Sequence, residues 1–448
     1  MPAQNYVLLE RVTVGEAGAS SITFNSIPQT GYTDLKIVAS ARDSGTGVSS
    51  WYIALNGSAV TSLKALYGNG TSALSMTSYF GIIPGTSATA SVFGSYEIYI
   101  PNYTSSNYKA ISTDSVSENN ATSAHAFLGA GISPAVTAIS SIALSCDVKF
   151  AQYSTFSLYG LAAVGTTPTI APKASGGSII QTDGTYWYHA FLASGTFTPA
   201  VGLSCDVLVV AGGGGGGGYR AGGGGAGGYR TSTGLSLSTA TTVTVGAGGA
   251  GATSSSTAPI SGVDSTLSTI TSTGGGRGGS YSPAFSPATG GSGGGGAITQ
   301  TGAAGNTPST SPAQGFAGGT GPAGGAVDPG AGGGGAGAVG GNGTFNTGPA
   351  GAGGIGSFTT ISGGATTAVG VLSGGNYYFA GGGGGGAGGT ATQAAGGLGG
   401  GGIGGANSKS AGNGVANAGA GGGGAGDTAG FTIGGNGSSG IVVIRYAI

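Results

Sequence analysis

The side chains able to do chemistry are few in this chain, and they are scattered. It has two histidines, His125 and His189, each within an apolar, strand-like stretch. That placement suits a satisfied structural histidine, and no cluster of His, Cys and carboxylates stands near either to suggest a metal. Asp114 and Glu118 can pair as carboxylates, but the polar run 112–120 around them reads as a solvated loop. Cys146 and Cys205 permit one disulfide without implying one; two small buried thiols are the plainer reading. No catalytic group, metal or cofactor is expected. A polysaccharide depolymerase would need paired carboxylates in a groove, and the second half of the chain is too poor in acidic residues to favour one.

A Gly-Gly-Tyr-Arg motif occurs twice, ending at Arg220 and Arg230. On one uninterrupted three-residue-per-turn helix the two arginines would lie about 120° apart. They read as structural pairing at the edge of a bundle, with ligand contact as the alternative. Elsewhere, aromatic or charged residues interrupt glycine in three stretches: 277–287 with Arg277, Tyr281 and Phe285, 342–349 with Phe345, and 407–411 with Lys409. Aromatic faces suit sugar or protein surfaces. These five residues are the candidate receptor contacts; the plainer alternative makes them packing caps.

What positions such residues is set by an unusual composition. Of 106 glycines in 448 residues, 20 precede residue 211 and 86 follow it. Charged residues are only 6% of the chain, where about 25% is ordinary. Disorder usually goes with high net charge and few apolar residues, whereas here the formal net charge is −1 and 38% of residues are hydrophobic. Twelve Lys and Arg against 13 Asp and Glu, without a basic stripe, argue against nucleic acid as a partner. No basic segment precedes an apolar one near Met1, and no uncharged run resembles a spanning helix. Membrane insertion is therefore not expected.

The first half reads as all-β. Segments 21–24, 34–40 and 95–100 alternate β-branched or aromatic residues with polar ones, and Asn56-Gly57, Asn69-Gly70 and Pro84-Gly85 mark turns. Eight to ten strands in residues 1–164 suggest a β-sandwich or jelly roll. Residues 165–178 read as a linker, and 179–448 as a glycine-rich domain that begins with strands at 185–191 and 205–210.

Collagen fails for the second half because glycine does not keep a three-residue register. A flexible linker has no use for the strand-like segments 241–245, 267–270, 376–379 and 441–446. GxGxxG matches carry no weight in so much glycine, and no helix follows them. The remaining reading is a packed bundle of polyproline-II-like polyglycine helices. Ordering each glycine costs about 1–2 kcal/mol, and a net hydrogen bond returns about 0.5–1.5 kcal/mol. An isolated helix of this kind has no internal bonds, so only a bundle in which nearly every backbone group finds a neighbour can form.

Three passages then carry a resemblance: Asp183-Gly184-Thr185-Tyr186-Trp187-Tyr188-His189, Ser194-Gly195-Thr196-Phe197-Thr198-Pro199 and Val207-Leu208-Val209-Val210-Ala211. With the Thr-Val-Thr-Val-Gly-Ala-Gly-Gly of 242–249 and the closing Gly440-Ile441-Val442-Val443-Ile444-Arg445-Tyr446, they resemble the glycine-rich domain of many phage virion proteins. Segments 27–35, 96–103 and 156–160 are similar to a β-domain common in phages of marine, cyanobacterial and other environmental hosts. The resemblance implies a fibre, adhesin or capsid appendage on the virion surface, released by lysis. It implies other virion proteins and a host surface glycan or outer-membrane protein as partners, and a homotrimer. The glycine-rich adhesins of T-even-like tail fibres, similar here in composition alone, pack polyglycine helices and bind receptors through end loops. A purely structural capsid decoration protein is the alternative.

Overall fold

The computed structural model describes residues 6–69, 72–118, 124–163, 171–254, 257–281, 284–324, 328–345, 349–388, 393–406, 409–426 and 433–448. It divides into two units: Met1–Lys173 with Ser178–Trp187 and Ala447–Ile448, and Ala174–Gly177 with Tyr188–Tyr446.

Two-residue alternation builds the first unit. Lys109–Glu118 and Ala124–Ser133 pair antiparallel, and along each strand buried and exposed residues alternate almost without a break. Strands Ile179–Thr182, Tyr6–Thr13, Thr155–Ala162, Tyr32–Ala41, Gly94–Ile100, Lys109–Glu118, Ala124–Ser133, Ser62–Gly68 and Ala73–Met76 lie side by side in that order. A second sheet runs Ala19–Phe24, Ile142–Phe150, Ser49–Leu55, Ser58–Ala59. One core takes side chains from both, among them Phe24, Trp51, Leu144 and Phe150 from the second sheet and Ile37, Tyr96, Phe156 and Leu158 from the first. The Trp51 and Tyr96 rings stack across it, with centroids 4.7 Å apart.

The polar run expected as a loop is strand as far as Glu118. Thr113, Ser115 and Ser117 point inward, and Thr113 Oγ1 donates to Phe80 O at 3.1 Å. Among the described residues Ser117 Oγ is buried without a hydrogen-bond partner, so polarity alone was a poor guide to burial. Residues 119 and 120 lie outside the described residues, as do 165–170 of the segment read as a linker. Within that segment Ala174 and Ser175 pair with Pro199 and Thr198.

The second unit begins on strands. Tyr229–Leu237, Leu203–Val210 and Ile441–Ala447 lie in that order, and Val207–Val210 are wholly buried. Leu267–Ile270, expected as strand, is instead a hairpin turn between Ser265–Leu267 and Ile270–Ser272, with Ser268 left-handed at φ 53°. Helix among the described residues is confined to Thr360–Ser362 and Gly364–Thr367.

Glycine then follows a different rule. In the run leaving Val210, Gly212 and Gly215 donate to Val263 and Ile260, Gly213 and Gly216 to Ser438 and Gly435, and Gly214 and Gly217 to Gly225 and Gly222. Their carbonyls accept from three further segments: Gly212 and Gly215 from Gly275 and Gly278, Gly213 and Gly216 from Gly249 and Ala252, Gly214 and Gly217 from Gly422 and Ala425. The run thus has six neighbours and returns to each every third residue. The neighbours that accept from it run antiparallel to it, and those that donate to it run parallel.

Only glycine allows this approach. A Cβ on Gly214 would stand 2.2 Å from Gly276 O, and one on Gly216 1.9 Å from Gly423 O. Runs 211–218, 221–228, 290–298, 380–388 and 418–426 are buried throughout and consist mainly of glycine and alanine. Side chains return on the outer runs, often at every third position: Ala247, Ala250 and Thr253; Ile260 and Val263; Ala352 and Ile355; Ile433 and Asn436 are all exposed. The period of three is therefore written in the side chains as well as in the hydrogen bonds.

Candidate functional site

Because the interior runs are backbone packed on backbone, side-chain chemistry is confined to the strand-bearing end, the outer runs and the loops at the far end. The run 211–218 leaves the strands, reverses at Tyr219-Arg220 and returns as 221–228, where Gly228 O accepts from Ala211. Seven residues, Gly212 to Gly218, separate the strands from this reversal.

Hydrogen bonds place the other reversals at the same end. Ala221 donates to Ala425, Gly386 to Ala221, Gly330 to Gly386 and Gly351 to Gly330, while Ala387 donates to Gly405 and Gly405 to Gly424. The loops after Gly279, Gly343 and Ala406 therefore share the far end with Tyr219, and these loops carry the five expected contact residues or directly follow them.

Arg277 holds its own loop closed: its Nε donates to Ser286 O at 3.3 Å and its backbone N–H to Ser261 Oγ at 3.1 Å. Phe285 forms a reciprocal bridge with Ser280, N···O 2.8 and 3.1 Å. Tyr281 is 40% exposed, and its N–H donates to Tyr219 O at 3.3 Å. Phe345 is 53% exposed, in a loop tied by the Thr344 N–H to Pro349 O. Lys409 is exposed and bridges to Ala406. Residues 282–283, 346–348 and 407–408 of these loops lie outside the described residues. Arg277, Tyr281 and Phe285 are brought together in one loop; among the described residues, no contact joins them to Phe345 or Lys409.

The two Gly-Gly-Tyr-Arg motifs are separated rather than paired, because the chain reverses between them. Arg220 is at the far end, where its guanidinium carbon lies 5.4 Å from the centroid of the Tyr219 ring. The Tyr219 and Tyr281 centroids are 6.4 Å apart. Arg230 is at the strand end of the run 221–228, its Nη1 donating to Thr271 O at 3.2 Å. It lines a groove of about 410 Å³ with Tyr229, Ser311, Pro312 and Ser357.

The histidines and thiols are held in place by packing. His189 is fully buried: Gly176 O lies 2.6 Å from its Nδ1 and the Tyr446 hydroxyl 3.0 Å from its Nε2. Burial lowers its pKa to about 4. His125 is buried edge-on to Tyr67, and burial lowers its pKa too. Cys146 and Cys205 are free and buried, with burial raising each thiol to about 11. Glu118 accepts from the Thr89 N–H at 2.6 Å and so fixes a loop. No cluster of three metal-ligating side chains occurs among the described residues, and no helix there is long and apolar enough to cross a membrane.

In comparison with known families, the model for a glycine-rich domain matches residues 192–447. No curated protein and no solved structure matches the chain.

Proposed function

Since the chain belongs to the glycine-rich domain family, we propose that it is a surface structural protein of a phage particle, a fibre or adhesin that presents loops to a host cell. In this reading the three-residue repeats are polyglycine helices of the polyproline II type, and the first unit is a β-sandwich of jelly-roll kind serving as attachment or spacer. Its partners are other virion proteins and a host surface glycan or outer-membrane protein, and it works as a homotrimer on the virion surface. It carries no catalytic role.

One observation supports this reading above the others. The interior runs are fixed by their own main chain, so their packing does not depend on the sequence of the loops that join them. A scaffold of this kind lets end loops vary freely, which suits recognition of changing surfaces. A formal net charge of −1 also limits indiscriminate binding to polyanions.

Adsorption of labelled full-length protein to candidate host cells tests the proposal. Replacing loops 277–287, 342–349 and 407–411 should weaken adsorption while leaving the melting temperature within a few degrees. Unchanged adsorption after all three replacements would refute the loop assignment. Immuno-gold labelling confined to the heads of intact particles would favour a decoration protein instead.

A further inference from the structure

The first far-end reversal turns on two residues that both hold left-handed backbone, Tyr219 at φ 55° and Arg220 at φ 48°. A side chain strains this conformation, and glycine relieves the strain. Other non-glycine residues of positive φ, among them Ser268, Asn306 and Ala380, stand singly; among the described residues this is the one consecutive pair. The pair sits in a half-chain with 86 glycines. Strain kept where its remedy is the commonest residue points to work done by the side chains.

Those side chains form a cluster. The Arg220 guanidinium lies over the Tyr219 ring, and the Tyr281 ring is tilted 33° from that of Tyr219. The backbone beneath is fixed, with Arg220 N–H donating to Gly426 O at 3.1 Å and Tyr281 N–H to Tyr219 O at 3.3 Å. Among the described residues neither phenol hydroxyl has a protein partner.

We infer that Tyr219, Arg220 and Tyr281 form a binding site for a saccharide ring. Aromatic faces take the C–H face of a sugar, and a cation beside them can donate to its hydroxyls. Size separates this from a protein partner: three side chains match one or two sugar rings, whereas a stable protein interface needs about 800 Å² on each side. The fixed turn means little freedom is lost on binding. The inference rests on the far-end loops being the recognition surface and names the ligand class for one of them.

The test uses the full chain and four forms: wild type, Tyr219→Gly with Arg220→Gly, Tyr281→Ala, and Tyr281→Phe. Each is melted and examined by saturation-transfer NMR against maltose, lactose, cellobiose, chitobiose and a digalacturonate. The double glycine variant should melt at or above wild type and bind at least about tenfold more weakly. Tyr281→Ala should lose binding, and Tyr281→Phe should keep most of it. A lower melting point for the double glycine variant would make the pair a packing cap and overturn the site. Absence of binding to every disaccharide would overturn the ligand class. Equal adsorption to host cells by wild type and the double glycine variant would also sink the site while leaving the adhesin reading standing. Wild-type protein that adsorbs to no host cell would remove that wider reading instead.

Discussion

Gly214→Ala is the most direct probe of the glycine packing. The new Cβ would stand 2.2 Å from Gly276 O and 2.6 Å from its carbonyl carbon, where ordinary contact begins at 3.4 Å. Restoring contact from 2.2 to 3.4 Å means moving a backbone run by about 1.2 Å. Three hydrogen bonds meet at this point: Gly225 to Gly276 at 2.8 Å, Gly214 to Gly225 at 2.8 Å, and Gly422 to Gly214 at 3.0 Å. A shift of that size breaks at least the first and strains the others, and buried groups left unpaired cost about 1–3 kcal/mol each. The expected loss is about 3–6 kcal/mol, or on the order of 10 °C in the melting temperature of the second unit. The matched control is Gly202→Ala, whose Cβ would meet nothing closer than 3.7 Å and should leave melting nearly unchanged. Differential scanning calorimetry on both variants decides the matter. If Gly214→Ala melts within about 1 °C of the control, the six-neighbour packing is wrong.

Further outcomes follow from the buried titratable groups. The folded pKa of His189, about 4 against an ordinary 6.5, means the unfolded chain binds more protons between those values. The second unit should therefore lose stability as pH falls from about 6.5 to 4, by about 3 kcal/mol in total, and His189→Gln should flatten that part of a melting-versus-pH profile. Glu10 behaves oppositely: burial raises its pKa well above the usual value, although the Gln181 amide opposes the shift with a 3.1 Å hydrogen bond. Its contribution is present below the ordinary carboxylate pKa and is lost as pH rises through the folded value, so Glu10→Gln should raise melting at pH 8 and change little at pH 4. Cys146 and Cys205, buried and pushed up to about 11, should resist iodoacetamide in native protein at pH 8 and react only on denaturation, as mass spectrometry would show.

Much of the first unit was legible because its strands bury one face. Segments such as 34–40 and 95–100 alternate cleanly, and the structure places them in Tyr32–Ala41 and Gly94–Ile100. The alternation at 112–118 was hidden because the inward residues there include Thr113, Ser115 and Ser117. Far-end loops were legible where Tyr281, Phe345 or Lys409 interrupts glycine. Tyr219 and Arg220 interrupt it too, but a reversal made of two left-handed residues leaves no Asn-Gly or Pro mark. The repeated Gly-Gly-Tyr-Arg then read as one continuous run. The reversal near residues 298–301, Ile-Thr-Gln-Thr, carries no Gly, Pro or Asn to mark it.

A second code lies inside the glycine. On an outer run two residues in three face neighbouring backbone and must be small, while the third faces solvent and is free. Ile433, Asn436 and the glycines between them follow this rule, as do Ile260 and Val263. On an interior run all three directions meet backbone, so nearly every position is glycine or alanine. Local composition therefore reports how many sides of a run are covered, and the position of each larger side chain modulo three reports which side is open. A composition-based reading sees a low-complexity tract, whereas the register determines where each run sits in the bundle. Moving one apolar residue by a single place, as in exchanging Ile433 with Gly434, would drive a branched side chain toward Gly216, whose O lies 2.3 Å from the Cβ position of Gly434. Composition, charge and hydropathy would be unchanged by that exchange, yet the packing would fail.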